Sequence, residues 1–180
     1  MGKKVLIFSG SPRKGGNSDV LCDQFLRGAK DAGNDAEKIF VNDKNLKYCL
    51  ACGTCYGNKA ACVHGDDMPN ILEKMLGADV IVLATPVWFY AMSGQMKVLL
   101  DRTIGRFMEL QNKEMYFILT AHNEDKPSME RVLEGLRGYA ACLRTAKEKG
   151  IVLGLGVFEV GDIETHPAMQ EAYEMGKAII

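Results

Sequence analysis

Apolar runs and apolar stripes alternate along the 180 residues of this chain. Val5-Leu6-Ile7-Phe8 and Val80-Ile81-Val82-Leu83-Ala84 are apolar at every position, the second β-branched at three, which predicts strands covered on both faces. Met115 to Leu119 is a third buried run, and Ala36 to Val41 and Ile151 to Val157 complete a set of five. Between the runs the spacing turns helical. Leu21, Phe25 and Ala29, with Leu26 beside them, predict a helix stopped at Gly33. Asp66-Asp67-Met68-Pro69 has the acid and early proline of a helix start leading into Ile71, Leu72, Met75 and Leu76. Met96, Leu99, Leu100, Thr103 and Ile104 form one stripe that Ser93 can cap. Met129, Val132, Leu133, Leu136, Tyr139, Ala140, Leu143 and Ala146 predict a long helix stopped by Gly150, and a last helix begins near Thr165.

Strand and helix alternate without linker or repeat, so residues 1–180 read as one α/β domain, a three-layer sandwich around a five-stranded parallel sheet of order 2-1-3-4-5. In that topology a ligand sits beyond the carboxyl ends of the strands, where strands one and three diverge. The segments 9–18, 85–94 and 120–124 should meet there. Residues 43–67 form an irregular, cysteine-rich insertion outside the alternation.

The first of these segments is Ser9-Gly10-Ser11-Pro12-Arg13-Lys14-Gly15-Gly16-Asn17-Ser18. A buried strand, a glycine- and serine-rich turn and then a helix present backbone N–H groups and a positive helix end to a phosphate. Gly10 and Gly15 have Walker A spacing, but Gly16 and Asn17 stand where that loop needs Lys and then Ser or Thr. Pro12 occupies the second glycine of a dinucleotide fingerprint. Ser9, Ser11, Asn17 and Ser18, with Arg13 and Lys14 to offset charge, suit one terminal monophosphate held without metal. The same residues also fit a solvated strand-to-helix loop with Asn17 or Ser18 as N-cap.

The second segment, Thr85 to Gly94, holds the only tryptophan, in the run Trp88-Phe89-Tyr90. Three consecutive aromatics cannot all face one core, and a ring left at a surface suits a planar heterocycle. Loop packing or a subunit interface is the other use of such rings. His122, in the third segment, reads as a solvated histidine rather than a ligand. No side chain is singled out as catalytic.

Composition narrows the partners. A net charge of -1 and no long basic run argue against nucleic acid and acidic membrane surfaces. The four-residue apolar run near the start is too short for a signal-peptide core or a membrane span, which predicts a cytoplasmic protein. Six cysteines then read as metal ligands, redox thiols or small core residues rather than structural disulfides. Cys49, Cys52, Cys55 and Cys62 give C-x2-C-x2-C-x6-C, a crowding that fits [4Fe-4S] ligation. Free or disulfide-forming thiols and a zinc site remain open for the same four. Gly53 and Gly57 would let the backbone come close. Cys22 and Cys142 fall in helical stripes and read as core.

Gly10 to Ser18 resembles the phosphate loop of the flavodoxin-like NAD(P)H-dependent FMN reductases, whose pattern is similar to G-S-P-R-x-x-G-N-S. Thr85 through Gly94-Gln95-Met96-Lys97 to Asp101-Arg102 resembles the second hallmark of that family. The resemblance implies a flavodoxin-like fold and FMN, with Ser9, Ser11, Arg13, Asn17 and Ser18 at the phosphate. It further implies Pro86, Val87, Trp88, Phe89 and Tyr90 along the ring. NAD(P)H is then the electron donor, a small molecule or protein the second acceptor, and a homodimer or homotetramer the assembly. The cysteine motif after the second strand is similar to that of the iron-sulfur flavoproteins of the same fold. Tyr90-Ala91 departs from the glycine-containing turn associated with them. A flavodoxin-like electron carrier without pyridine-nucleotide turnover is the alternative, against which the near-neutral charge counts.

Overall fold

The computed structural model describes residues 2–56 and 61–180. Six strands and five α-helices follow in order: β1 (Lys4–Ser9), α1 (Asn17–Asp31), β2 (Asp35–Phe40), α2 (Met68–Gly77), β3 (Val80–Trp88), β4 (Ala91–Met92), α3 (Gly94–Asp101), β5 (Glu114–Ala121), α4 (Glu130–Cys142), β6 (Lys147–Leu155) and α5 (Ala168–Lys177). Five strands are parallel in the order β2-β1-β3-β5-β6, and β4 pairs antiparallel with β3 outside that path. The architecture is the expected flavodoxin-like one, with one strand more than the apolar runs foretold.

The fully apolar runs are explained by burial on both faces. Leu6, Phe8, Ile81, Leu83 and Phe117 pack toward α2, α3 and α4 through Ile71, Met75, Met96, Leu99 and Leu136. The alternate residues Val5, Ile7, Val80, Val82 and Ile118 pack toward α1 and α5 through Leu21, Phe25, Ala29 and Ala172. Each strand therefore feeds two cores by its period of two. Helices α1 and α5 touch backbone to backbone. A Cβ on Gly28 would stand 2.0 Å from the Tyr173 carbonyl oxygen, and one on Gly176 2.2 Å from that of Phe25.

Four of the boundaries that differ from expectation have a clear tertiary reason. β3 does not stop at Thr85-Pro86 but runs to Trp88, with Pro86 opposite Thr120 of β5. The Ala84 carbonyl faces β1, taking the Gly10 N–H at 2.8 Å, so Pro86 points the same way past the end of β1 and its missing N–H costs no ladder bond. Helix α4 ends at Cys142 rather than at Gly150. There Asn112 ties down the turn through its N–H, bonded to the Arg144 carbonyl and Thr145 Oγ1 at 3.0 Å each, and Lys147 already pairs with Glu114. Gly150 consequently lies inside β6, which starts four residues before the expected Ile151. The stripe of α3 breaks at Ile104, which a 3-10 turn over Arg102–Gly105 turns outward.

Cys142, expected in the core, is exposed because it is the last residue of α4, whereas Cys22 is buried as expected. Gly57 lies outside the described residues. Between Lys44 and Asp67 the described residues form neither helix nor strand. No helix among the described residues is long and apolar enough to cross a membrane.

Candidate functional site

The carboxyl ends of β1 and β3 carry the first two segments, and Ser93 joins them. Its Oγ donates to the Gly10 carbonyl at 2.7 Å and accepts from Met96 N at 3.2 Å, which caps α3. Its N–H donates to Thr85 Oγ1 at 2.9 Å. One buried serine thus fixes the turn after β1 against the turn after β3. Gly10 is wedged in this joint: a Cβ there would come within 3.0 Å of the Ala84 carbonyl oxygen and of Met96.

The turn after β1 is held by its own hydrogen bonds. Ser11 Oγ donates to the Arg13 carbonyl at 2.8 Å and accepts from Arg13 N at 3.0 Å, and Gly15 takes a positive φ of 69°. The N-cap of α1 is Gly16, with no side-chain cap, so neither Asn17 nor Ser18 caps the helix. Ser18 Oγ is buried without a hydrogen-bond partner, and Ser9 Oγ makes no hydrogen bond of ordinary length, with the Cys22 thiol beside it. A buried hydroxyl left without a partner costs free energy and points to a missing acceptor. Burial pushes the Cys22 thiol far up, with the neighbouring Asp19 charge adding to it, so it stays a neutral thiol.

Arg13 and Asn17 turn elsewhere. Arg13 donates to the Phe158 carbonyl at 3.1 Å with its guanidinium over the Phe158 ring. Asn17 donates to the Glu159 carbonyl at 3.0 Å and accepts from Ile163 N at 3.3 Å. Both side chains brace the segment 156–163 against the loop. That segment, missed by the sequence reading, packs against the turn after β1 and against His122 of the third segment. Phe158 lies edge-to-face on His122 at 5.6 Å, and Asp162 accepts from the Phe158 and Glu159 N–H groups at 2.8 Å each. Those two backbone bonds hold the Asp162 carboxyl below the usual range. Gly156 and Gly161, both at positive φ, were the signal available in the sequence. His122 itself is exposed, as expected.

β3 and β4 form a two-residue hairpin with Trp88 opposite Ala91. Its tip residues Phe89 and Tyr90 have φ of 50° and 59°, a conformation that hairpins reserve for glycine and asparagine. Each bulky residue held there costs roughly 1–2 kcal/mol. Phe89 is 98% exposed, so its packing returns nothing, while Tyr90 lies under the Arg131 guanidinium at 5.2 Å. Pro86 and Val87 are half-buried and Trp88 is exposed. Strain without local compensation marks a segment shaped for something other than its own stability.

The cysteines lie at the other end of α3. Cys49, Cys52, Cys55 and Cys62 all border one cavity of about 1080 Å³, which Cys142 and Tyr139 also line. Burial raises the Cys55 thiol, and the Cys62, Cys49 and Cys52 thiols push it further up. Cys52, by contrast, is lowered by its hydrogen bond with Thr54 at 3.4 Å. Among the described residues no three His, Cys, Asp or Glu side chains are grouped tightly enough to hold a metal ion. The feet of the insertion are pinned: Asn45 N donates to Asp67 Oδ2 at 2.8 Å and Lys47 N to Asp66 Oδ2 at 3.1 Å. Asp66 is ion-paired to Arg102, with Arg102 Nη1 at 2.5 Å and Nη2 at 2.9 Å, and both side chains are buried. The same Nη2 reaches Cys62 Sγ at 3.5 Å. Burial works against the Asp66 charge, but the Arg102 and backbone hydrogen bonds outweigh it and hold the carboxyl at about 2. The pairing of Asp66 with Arg102 was not legible in the sequence, where the two stand 36 positions apart.

Comparisons with known proteins bear on the family and the fold. A family model described as NADPH-dependent FMN reductase matches residues 3–148. An iron-sulfur flavoprotein of Archaeoglobus fulgidus is 33% identical over 184 residues, a match that takes in 97% of this chain and 80% of that protein. An iron-sulfur flavoprotein of Methanosarcina thermophila is 39% identical over 101 residues, which is 56% of this chain and 52% of the relative. Several further relatives are likewise matched over only about half their length. The solved NAD(P)H:quinone oxidoreductase from Methanothermobacter marburgensis shares the fold with a TM-score of 0.75 at 16% identity, covering 100% of both chains. A model match over most of the chain and a relative matched almost end to end carry one conclusion: this chain belongs to the NADPH-dependent FMN reductase family.

Proposed function

We propose that the chain is an FMN-dependent NAD(P)H oxidoreductase that passes electrons from reduced nicotinamide through FMN to a second acceptor, a small molecule or a protein. The observation that carries this reading is the joint at Ser93, which sets a rigid turn with unpartnered buried hydroxyls beside a strained aromatic hairpin. The residues present fit the cofactor. Ser9 and Ser18 offer the free hydroxyls, and the first N–H groups of α1 offer donors and a positive helix end for a phosphate. Ser11, Arg13 and Asn17 serve the phosphate through the loop shape they fix. Pro86, Val87, Trp88, Phe89 and Tyr90 border the ring and exclude water from one side of it. Bound FMN supplies the electron transfer itself, and the protein supplies its position.

Four thiols around one cavity support a second element of the reading, a [4Fe-4S] cluster on Cys49, Cys52, Cys55 and Cys62. The donors fit by kind and number, and the name of the Archaeoglobus relative points the same way. Ligation would require the insertion to draw its thiols together, so no step of the reaction is assigned to the cluster. The exposed hairpin tip supports a homodimer or homotetramer in which a second copy covers Phe89.

The test is anaerobic: protein purified without air, its visible spectrum, its iron and acid-labile sulfide, and its oxidation of NADH and NADPH with quinones, free flavin and ferric complexes. Flavin-dependent turnover of either nucleotide is the expected result. Bound flavin without turnover would leave the electron-carrier alternative in its place.

A further inference from the structure

The acid in the first turn of α1 stands where a phosphate loop should not carry one. Asp19 is the third residue of the helix, and its side chain is 4% exposed. Its Oδ2 accepts from the Gly15 N–H at 2.9 Å, so the carboxylate braces the turn from beneath. It directly follows Ser18, whose Oγ is free. A buried carboxylate there uses the same helix end that a phosphate would use, and like charges repel strongly where water is excluded.

The compensating charge comes from a different element. Lys38, on β2 opposite Ile7, extends its Nζ to Asp19 Oδ1 at 3.0 Å and to Asp23 Oδ1 at 2.6 Å. Burial works against the ammonium, but its bonds to Asp23 and Asp19 prevail and raise its pKa, so it stays charged. The neutral Cys22 thiol lies between the two acids in sequence and adds no charge.

We propose that Lys38 is a positioning residue of the phosphate loop: by neutralising Asp19 it lets that carboxylate hold Gly15 in place without repelling the phosphate above it. This rests on the reading of the loop as the FMN phosphate site. Pinning β2 to α1 is the purely structural role, and it would affect flavins with and without a phosphate alike.

The experiment is titration of the flavin-free full-length chain with FMN and with riboflavin, followed by quenching of flavin fluorescence. In Lys38→Met the preference for FMN over riboflavin should fall by about tenfold or more, with riboflavin affinity within about twofold of the unsubstituted protein. Lys38→Arg should keep the preference. The double variant Asp19→Asn with Lys38→Met should recover it, because an amide oxygen still accepts from Gly15 and the buried carboxylate is gone, leaving only Asp23, whose half-exposed charge water screens. Asp19→Asn alone should hold FMN at least as well relative to riboflavin, which keeps the test open if Lys38→Met does not fold. Equal weakening of both flavins in Lys38→Met, a loss of preference in Asp19→Asn, or no recovery in the double variant would each overturn the role of Lys38. If the unsubstituted protein binds riboflavin as tightly as FMN, the phosphate reading falls first and Lys38 with it.

Discussion

The two ends of α3 are built in opposite ways. At its start, Ser93, Gly10 and Thr85 lock two turns together, and a methyl group on Gly10 would press on the Ala84 carbonyl oxygen and Met96 at 3.0 Å. At its end, the cysteine insertion is pinned where residues 45–47 meet 66–67 and where Arg102 reaches Asp66, the Lys47 carbonyl and Cys62, and its thiols line an open cavity. The first region is shaped before its ligand arrives, so binding pays little ordering entropy. The second has four thiols around one cavity but, among the described residues, no grouping tight enough for a metal ion, and on the reading proposed above its final form depends on what it binds. A single helix therefore separates a pair of turns that the fold locks together from a segment that it pins at its feet.

The sharpest way to break this contrast is to remove the buried ion pair that anchors the second region. Arg102→Met leaves Asp66 charged, buried and unpaired, which should cost about 3–5 kcal/mol in denaturant unfolding. The preference for FMN over riboflavin should stay within about twofold, since the phosphate loop shares no bond with Arg102. A small stability change would mean that the insertion is not held through this pair. Loss of the flavin preference would mean that the two ends of α3 are not independent.

Acid should act on the same anchor more gradually. Asp66 titrates at about 2 in the folded chain against 3.8 for an ordinary aspartate. A depressed folded value means stability that is present above the unfolded pKa and is lost as pH falls through the folded one. About 2 kcal/mol should therefore disappear between roughly pH 4 and pH 2. Urea midpoints measured across that range should show the loss in the unsubstituted protein and little of it in the double variant Asp66→Asn with Arg102→Met.

The first region can be pushed the other way. Replacing Phe89-Tyr90 by Asn-Gly supplies the residues its turn conformation favours and should stabilise the flavin-free protein by about 1–3 kcal/mol. On the reading proposed above the two rings border the flavin, so flavin affinity should drop at the same time. Stabilisation with unchanged flavin binding would remove the hairpin from the site and leave it as an interface alone.

What was legible in the sequence follows the same division. Unbroken apolar runs announced the parallel strands, since burial on both faces leaves no polar positions, and Gly10–Ser18 could be read as a strand-to-helix turn because glycine and serine act locally. The hairpin after Trp88 was missed because Phe89 and Tyr90 are the wrong residues for such a turn, chosen against local preference. The end of α4 was misread because Leu143 and Ala146 continue a helical period while Asn112 and Lys147 commit the chain to the sheet. The bracing of Arg13 and Asn17 by residues 158–163, and the pairing of Asp66 with Arg102, are contacts between distant segments that no window of sequence contains.

The mildest substitution tests the preformed region most directly. Ser18→Ala removes a buried hydroxyl that has no partner in the flavin-free protein, so the usual loss of a hydrogen bond does not apply. Stability should be unchanged or rise by up to about 1 kcal/mol. Affinity for FMN should fall by about tenfold, the worth of one hydrogen bond to a charged group, and riboflavin affinity should hardly move. A hydroxyl that served the fold would show the reverse: lower thermal stability and equal binding of the two flavins. Because both readouts come from one variant, their signs alone decide whether Ser18 is kept for the protein or for the phosphate.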